Sequence, residues 1–451
     1  MEQHGLQLPD DAEIKAALDW LDQAACTPGS LWARLEHAQR SYRELTQSPD
    51  NLGSDFDVGD LGDDVVASFL AQAKSVIDDP QSYDIALASR TIPWVKQLGR
   101  HVDLLDGIPG ARERAARMIV SSSVDPGSTL FELVMASNYA MDGFNVEFID
   151  EAKGAAKTPD FKLRADGYSK SIPVECKRLR RGDYEVAERQ LQKVLFRQVE
   201  EFIEAEGLSV HIDVTYTQEL EHVPQGYLRD RLQAALSSRI DTGSSYPWRD
   251  EFGYGEVRAA NLQAVRHDIS DSSLYFGTKL ARLLTGKAVR ETSYQLAAGA
   301  DPDARDPRFI SQIYYGSVVT WQSLAAEAIA KKSRYVKAKL AEADRQLKGF
   351  GPGIAHLAMD VELNCQSSDL RRERNKAAIR GFESESQIMA IYLHYLVPRI
   401  AEGHTWLIDE TVDRFGMPDA DVPTAKIFSE SVSLDNDEPA WNQDVPLPRA
   451  F

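Results

Sequence analysis

Two short stretches near the middle of the chain alternate strictly between apolar and polar residues, and this pattern most constrains the fold. In Asp160-Phe161-Lys162-Leu163-Arg164-Ala165, Phe161, Leu163 and Ala165 fall on one face of a strand and Asp160, Lys162 and Arg164 on the other. In Ile172-Pro173-Val174-Glu175-Cys176-Lys177, Ile172, Val174 and Cys176 share one face while Glu175 and Lys177 share the opposite one. Asp166-Gly167 lies between the two runs and reads as the turn of a hairpin, with a connection longer than two residues. Folding that hairpin back brings Asp160 beside Glu175.

Two adjacent carboxylates offer hard oxygen ligands to Mg²⁺, an ion that binds through a few acids, several waters and a substrate phosphate. Lys177 is then placed to orient a water or to offset charge on phosphorus oxygens. Thr158-Pro159-Asp160 followed by Glu175-Cys176-Lys177 resembles the pattern of the PD-(D/E)XK, or restriction-endonuclease-like, nuclease superfamily. The resemblance implies that Asp160 and Glu175 hold the metal and that Lys177 assists the attacking water. It also implies a glutamate on the preceding helix, and Glu132 in Leu130-Phe131-Glu132-Leu133 occupies that place as a further metal ligand. A local alternative exists for this residue, because Thr129-Leu130-Phe131-Glu132 is also a capping box. Isolated E-x-K triplets carry little weight, since Glu151-Ala152-Lys153 is another. The order of elements carries more: a helix ending near Asp142-Gly143, a strand from Phe144 to Ile149, the Asp160 and Glu175 strands, a helix from Tyr184 to Glu206 and a strand from Leu208 to Tyr216. Related families place a polar residue, often glutamine, from the later helix in the site, and Gln190 and Gln192 are the candidates.

Charge narrows the class of partner. The chain carries a formal net charge of −19, which argues against indiscriminate coating of nucleic acid. Between Lys157 and Arg197, however, eleven basic residues face six acidic ones, and Arg178, Arg180 and Arg181 follow Lys177 directly. A local positive surface of this kind suits phosphate positioning, with these three arginines as candidate nucleic-acid contacts. Cys26, Cys176 and Cys365 are far apart and form no C-x-x-C pair, so neither a zinc site nor a disulfide framework is indicated and a cytoplasmic location is expected. No apolar run is long enough to span a bilayer, and Met1 to Trp20 has no signal-peptide core.

With 451 residues and 43% hydrophobic content, two or three domains are expected. Residues 1–125 read as a mainly helical N-terminal domain, with helices over Ala12–Ala25, Asp63–Ile77 and Ile92–Leu105 and a surface loop over Asp50–Asp64. Residues 126–217 hold the nuclease-like core, and residues 218–325, weaker in periodicity, form an insertion. Residues 326–428 continue the same sheet through a basic amphipathic helix, Lys331–Lys348, and strands Ile354–Leu363 and Ile388–Leu396; residues 429–451 form an extended acidic, proline-containing tail. Other chemistries lack their residues. Gly286-Lys287 has Ala281 where a P-loop needs glycine, no H-E-x-x-H or G-x-S-x-G occurs, and lone histidines such as His211 and His356 read as structural.

The expectation is an α/β protein with a restriction-endonuclease-like core, a mixed sheet flanked by helices, acting as a nuclease on DNA with Mg²⁺ or Mn²⁺ in a defence, restriction or repair setting. The alternative is a nucleic-acid-binding or scaffold protein of that fold that is inactive without a partner. A homodimer or a protein partner is compatible with either.

Overall fold

A computed structural model describes residues 10–25, 27–46, 63–79, 83, 85–121, 125–150, 157–165, 170–238, 244–268, 278–286, 294–305, 310–361, 366–401, 405–416, 426–428 and 439–442. The hairpin turn at Asp166-Gly167, most of the 50–64 loop and most of the tail lie outside these residues, as do Cys26 and Cys365. Seven helices come first: α1 (Asp10–Ala24), α2 (Ser30–Thr46), α3 (Val65–Asp78), α4 (Ile85–Arg100), α5 (Val102–Asp106), α6 (Ala111–Val120) and α7 (Pro126–Met141). Strands β1 (Asn145–Phe148), β2 (Phe161–Arg164) and β3 (Ile172–Leu179) follow. Next come α8 (Asp183–Glu206), β4 (Val210–Tyr216), α9 (Tyr227–Ser237), β5 (Ser245–Arg249), β6 (Gly253–Ala259), α10 (Leu262–Asp268), α11 (Thr278–Thr285), β7 (Tyr294–Pro302) and β8 (Ile310–Ser323). The remaining elements are α12 (Ala326–Leu347), β9 (Ile354–Asp360), α13 (Gln366–Arg380), β10 (Ala390–Ala401) and β11 (Thr405–Gly416).

Two mixed sheets organise the chain. The first has the order β1-β2-β3-β9-β10-β11 and the second β5-β6-β4-β8-β7. In the first, β1, β2 and β3 form an antiparallel meander, β3, β9 and β10 run parallel, and β11 returns antiparallel. The protein is therefore mixed α/β with helices flanking both sheets.

The strand read as closing the core, Leu208–Tyr216, does not lie beside β3. It is β4, the centre of the second sheet, paired with β6 and β8. The neighbour of β3 is β9, which arrives from far along the chain over helix α12. Alternation makes both strands equally good; what separates them is the crossover. Val336, Leu340, Ala343 and Leu347 give α12 an apolar stripe at helical spacing, fully buried against Ala355, Leu357 and Leu179. Gly353 lets β9 start close to β3, because a Cβ there would stand 2.8 Å from the Pro173 carbonyl oxygen. By contrast α8 buries Leu195, Phe196, Val199 and Ile203 against the second sheet.

The N-terminal helices are not a separate body. One core runs from Ile14 and Leu18 through Trp94 and α7 to Phe161, Val174, Ile354, Tyr392 and Ile408, so these helices and the first sheet share a single apolar interior. Leu130, Phe131, Leu133, Val134, Met135 and Ala136 are fully buried, which is why α7 reads as apolar nearly all round: it is sandwiched between the sheet and the helices outside it. The helix expected over Ile92–Leu105 is two helices, α4 running through Pro93 and α5 starting after His101. Near the C-terminus Trp441 is buried, packs on Tyr395 and donates its indole N–H to Asp369 at 2.9 Å, so this piece of the expected extended tail is docked. No described helix is long and apolar enough to cross a membrane.

A buried polar chain crosses the α7 face of the first sheet. Tyr139 Oη lies 2.9 Å from His356 Nε2, His356 Nδ1 lies 2.9 Å from His394 Nε2, and His394 Nδ1 meets Glu410 Oε1. Glu410 also accepts the backbone N–H of Ile427 and Phe428, at 2.8 and 3.2 Å. With the carboxylate as terminal acceptor, one arrangement satisfies every member: Tyr139 donates to His356, His356 to His394, and His394 to Glu410. His356 is thus structural, as expected, and so is His211, which is held between Arg258 and Thr320 in the second sheet.

Candidate functional site

Asp160 immediately precedes β2, and the β2–β3 register aligns Phe161 with Val174. The Asp160 N–H donates to Val174 O at 3.1 Å, so Asp160 falls opposite Glu175 and the two positions share a face. That is the face covered by α12, because Glu175, Lys177 and Leu179 pair alongside Ala355, Leu357 and Met359. Val174, Cys176 and Arg178 face α7 and the helices around it. Arg178 stacks on Trp94, with its guanidinium 5.3 Å from the ring centre, and pairs with Asp360.

The acids are far more enclosed than alternation suggests. Glu175 is fully buried and Asp160 is 5% exposed. β3 lies in the interior of a sheet covered on both faces, so its polar side is a helix interface rather than a solvated surface. Lys177 makes an ion pair with Glu175 Oε1 and donates to Gln346 Oε1 at 2.5 Å; Gln346 in turn donates to Thr158 O at 3.1 Å. Glu175 Oε2 is buried with no hydrogen-bond partner among the described residues. Asp160 is tied twice, accepting the Cys176 N–H on Oδ2 at 2.8 Å and Arg114 Nη2 on Oδ1 at 2.9 Å.

Glu132 reaches this cluster through Arg114. Its carboxylate pairs with Arg114 Nε at 2.9 Å, so one guanidinium, lying over Phe148, bridges Glu132 and Asp160. The capping-box reading fails: α7 begins at Pro126 with Asp125 as cap, its side chain accepting Gly127 N–H at 3.1 Å, and Glu132 sits well inside the helix. Glu132, Asp160 and Glu175 do not converge on one point. Among the described residues, only Glu219, Glu221 and His222 bring three potential metal-ligating side chains within 4.8 Å of one another, and Glu219 there is committed to Lys331 and Tyr184.

The buried charges do not cancel, since three carboxylates (Glu132, Asp160, Glu175) face two cations (Arg114, Lys177). Burial, reinforced by the Asp160 charge, pushes the Glu175 carboxyl well above the usual range despite Lys177. Burial alone would lower the Lys177 ammonium, but the Glu175 and Asp160 carboxylates outweigh it and raise it. Burial and the same acids push the Cys176 thiol up, so it stays protonated and is no nucleophile. A buried, partly unsatisfied carboxylate beside a second one is a donor set that a hard divalent cation could use, and Asp160 and Glu175 are the residues that would hold it. Glu132 is held on Arg114 instead.

The later glutamines go elsewhere. Gln190 is exposed, and Gln192 is fully buried in the second sheet, bonded to Gln295 and Tyr216. The glutamine that meets Lys177 is Gln346 on α12, and its only signal in sequence is its place on the helix leading into β9. Arg114 carried no motif. Of the three candidate nucleic-acid arginines, Arg178 is largely buried in its pair with Asp360, while Arg180, half exposed, pairs with Asp125 at 2.5 Å. No protein-family model matches the chain, and no curated protein matches it.

Proposed function

We propose that the chain is a divalent-cation-dependent nuclease of the PD-(D/E)XK, restriction-endonuclease-like class, with DNA as substrate. One observation carries the reading: Asp160 and Glu175 share a sheet face with Lys177 between them and Gln346. What supports the family assignment is the order α7, β1, β2, β3, α12, β9, in which a helix, three strands, a helix and a strand adjoin one another and the segment from α8 to β8 is inserted. Mg²⁺ or Mn²⁺, when bound, supplies charge neutralisation at the phosphate and a lowered water pKa. Lys177 orients the attacking water and offsets charge on the phosphorus oxygens, Gln346 fixes the ammonium, and Arg114 keeps Asp160 in place. Labelled single-stranded, double-stranded and branched DNA, and RNA, incubated with and without Mg²⁺, test this. Cleavage that requires Mg²⁺ or Mn²⁺, fails in Ca²⁺ and is lost in Lys177→Ala is expected; metal-independent cleavage, or none on any substrate, refutes it.

Glu175 being fully buried favours a second reading, a nucleic-acid-binding protein whose site stays closed until a partner moves α12. Binding without cleavage under all these conditions would select it.

A further inference from the structure

At the other end of β3 from Asp160, the carboxyl ends of the parallel strands β3 and β9 open into a cavity of about 160 Å³. Five cations line it, Arg90, Arg180, Arg181, Lys332 and Arg371, against two acids, Glu185 and Asp360. Several of these groups also reach partners just outside the wall: Arg180 pairs with Asp125, Lys332 with Glu188 and Asp360 with Arg178. In a chain of net charge −19 this concentration of positive charge is local and enclosed.

The geometry resembles an anion site in three independent respects. Arg371 pairs through Nη1 with Glu185 at 2.8 Å, yet its Nε is buried with no hydrogen-bond partner among the described residues. Ser367 and Ser368, in the first turn of the fifteen-residue helix α13, bring hydroxyls and an N-terminal turn to the same wall. The site lies at the carboxyl ends of parallel strands, where open α/β sheets take their ligands. The field is strong enough to reverse desolvation. Partial burial should raise Asp360, but Arg178, Arg90 and Arg181 hold it below the usual range, and Arg371 and Lys332 do the same to the partly buried Glu185.

We infer that this cavity binds a terminal phosphate, the phosphomonoester of a free nucleotide or of a nucleic-acid strand end. A phosphomonoester carries close to two negative charges and three acceptor oxygens near neutral pH, matching a cluster of planar guanidinium forks better than a phosphodiester or a carboxylate does. Leu179, Met359 and Tyr395 complete the lining, and a volume of about 160 Å³ suits a phosphate head better than a whole nucleotide. The site is separate from the acid cluster: Arg180 lies five residues beyond Glu175, about 17 Å along an extended strand. The inference does not depend on cleavage.

The test uses the full chain in EDTA and three probes: inorganic phosphate, adenosine monophosphate, and a 3′-labelled single-stranded oligonucleotide with either a 5′-phosphate or a 5′-hydroxyl, read by calorimetry and fluorescence anisotropy. Wild type should bind the 5′-phosphorylated strand at least tenfold more tightly than the 5′-hydroxyl strand, or bind the mononucleotide, and phosphate should compete. A tighter strand end identifies nucleic acid as the source; a tighter mononucleotide identifies a free ligand. Arg181→Gln and Arg371→Gln should each abolish the difference; Arg181, which lines the wall from the connection between β3 and α8, serves as control should Arg371→Gln loosen α8. No binding of any probe, or a 5′-phosphate preference that survives in both variants, overturns the inference.

Discussion

Replacing Glu175 with glutamine should make the protein more stable while removing its proposed activity, and the gain should grow with pH. The side chain is fully buried, Oε2 has no hydrogen-bond partner among the described residues, and the cluster's three carboxylates, its own included, exceed the two cations. Its carboxyl titrates well above its ordinary value of 4.5, chiefly through burial and then through Asp160. The sign follows from proton counting: above pH 4.5 the unfolded chain has released this proton while the folded chain still holds it, so wild-type stability falls as pH rises across that window. The ceiling is about 1.4 kcal/mol for each pH unit until the folded-state value is passed. Glutamine keeps the shape and has no such slope. Against this gain stands the altered contact with the Lys177 ammonium, so the absolute difference is less informative than its pH dependence. Urea denaturation of both proteins at pH 5, 6, 7 and 8 measures it. A stability difference that stays flat with pH, or one that shifts against the variant as pH rises, would show that the site is not strained by excess negative charge.

Four further outcomes follow from the same geometry. Arg114→Met strands Glu132 and Asp160, whose side chains are 13% and 8% exposed, and should cost about 3–5 kcal/mol in denaturant unfolding at pH 7; a loss below about 1 kcal/mol would mean the bridge is idle. Mg²⁺ at ten times its dissociation constant should stabilise wild type by about 1.4 kcal/mol and Glu175→Gln much less, read as a shift in unfolding midpoint. Gln346→Leu should slow cleavage roughly tenfold or more, steepest at high pH where the Lys177 ammonium is least secure, with unchanged nucleic-acid affinity; equal activity at all pH values would free Gln346 of any positioning role. Burial, with His394 beside it, holds His356 well below 6.5, so the unfolded chain gains a proton that the folded chain refuses, and this contribution to stability is lost as pH falls below about 6.5. Because Glu175 pulls the opposite way in that range, the comparison is between wild type and His356→Gln, which should show the shallower loss between pH 7 and 5.5.

The local pieces of the site were legible in the sequence and its surroundings were not. Alternation around Phe161, Leu163 and Val174 gave the strand faces, and with them the juxtaposition of Asp160 and Glu175. The same alternation marks a polar side without saying what covers it, so nothing in it shows that α12 buries Glu175. Strand β4, with its clean pattern, follows α8 in the expected order of elements, but consecutive elements need not adjoin, and here β4 belongs to the inserted second sheet. Arg114 lies on an amphipathic helix, where in sequence a buried arginine looks like any surface cation. Gln346 became a site residue only through the crossover that also displaced Gln190 and Gln192. The other four strands of the second sheet fall within residues 218–325, whose periodicity is weak because short helices and turns of irregular length separate them.

Because β3 pairs with β9, with Val174 aligned to Ile354, half of the cluster's surroundings is made long after the acids themselves. On the ribosome, Asp160, Glu175 and Lys177 emerge well before Gln346 and the strand that walls them in. A nascent chain of 300 residues would hold all three motif residues and no assembled site. The second sheet sets the timing: pairing β4 with β8, His211 against Val318, brings the ends of α8 and α12 together and turns a loop of 180 residues into a much shorter effective one. Synthesis therefore delays assembly of the proposed site until β9 has emerged, and truncated products that stop short of β9 would be inert toward DNA.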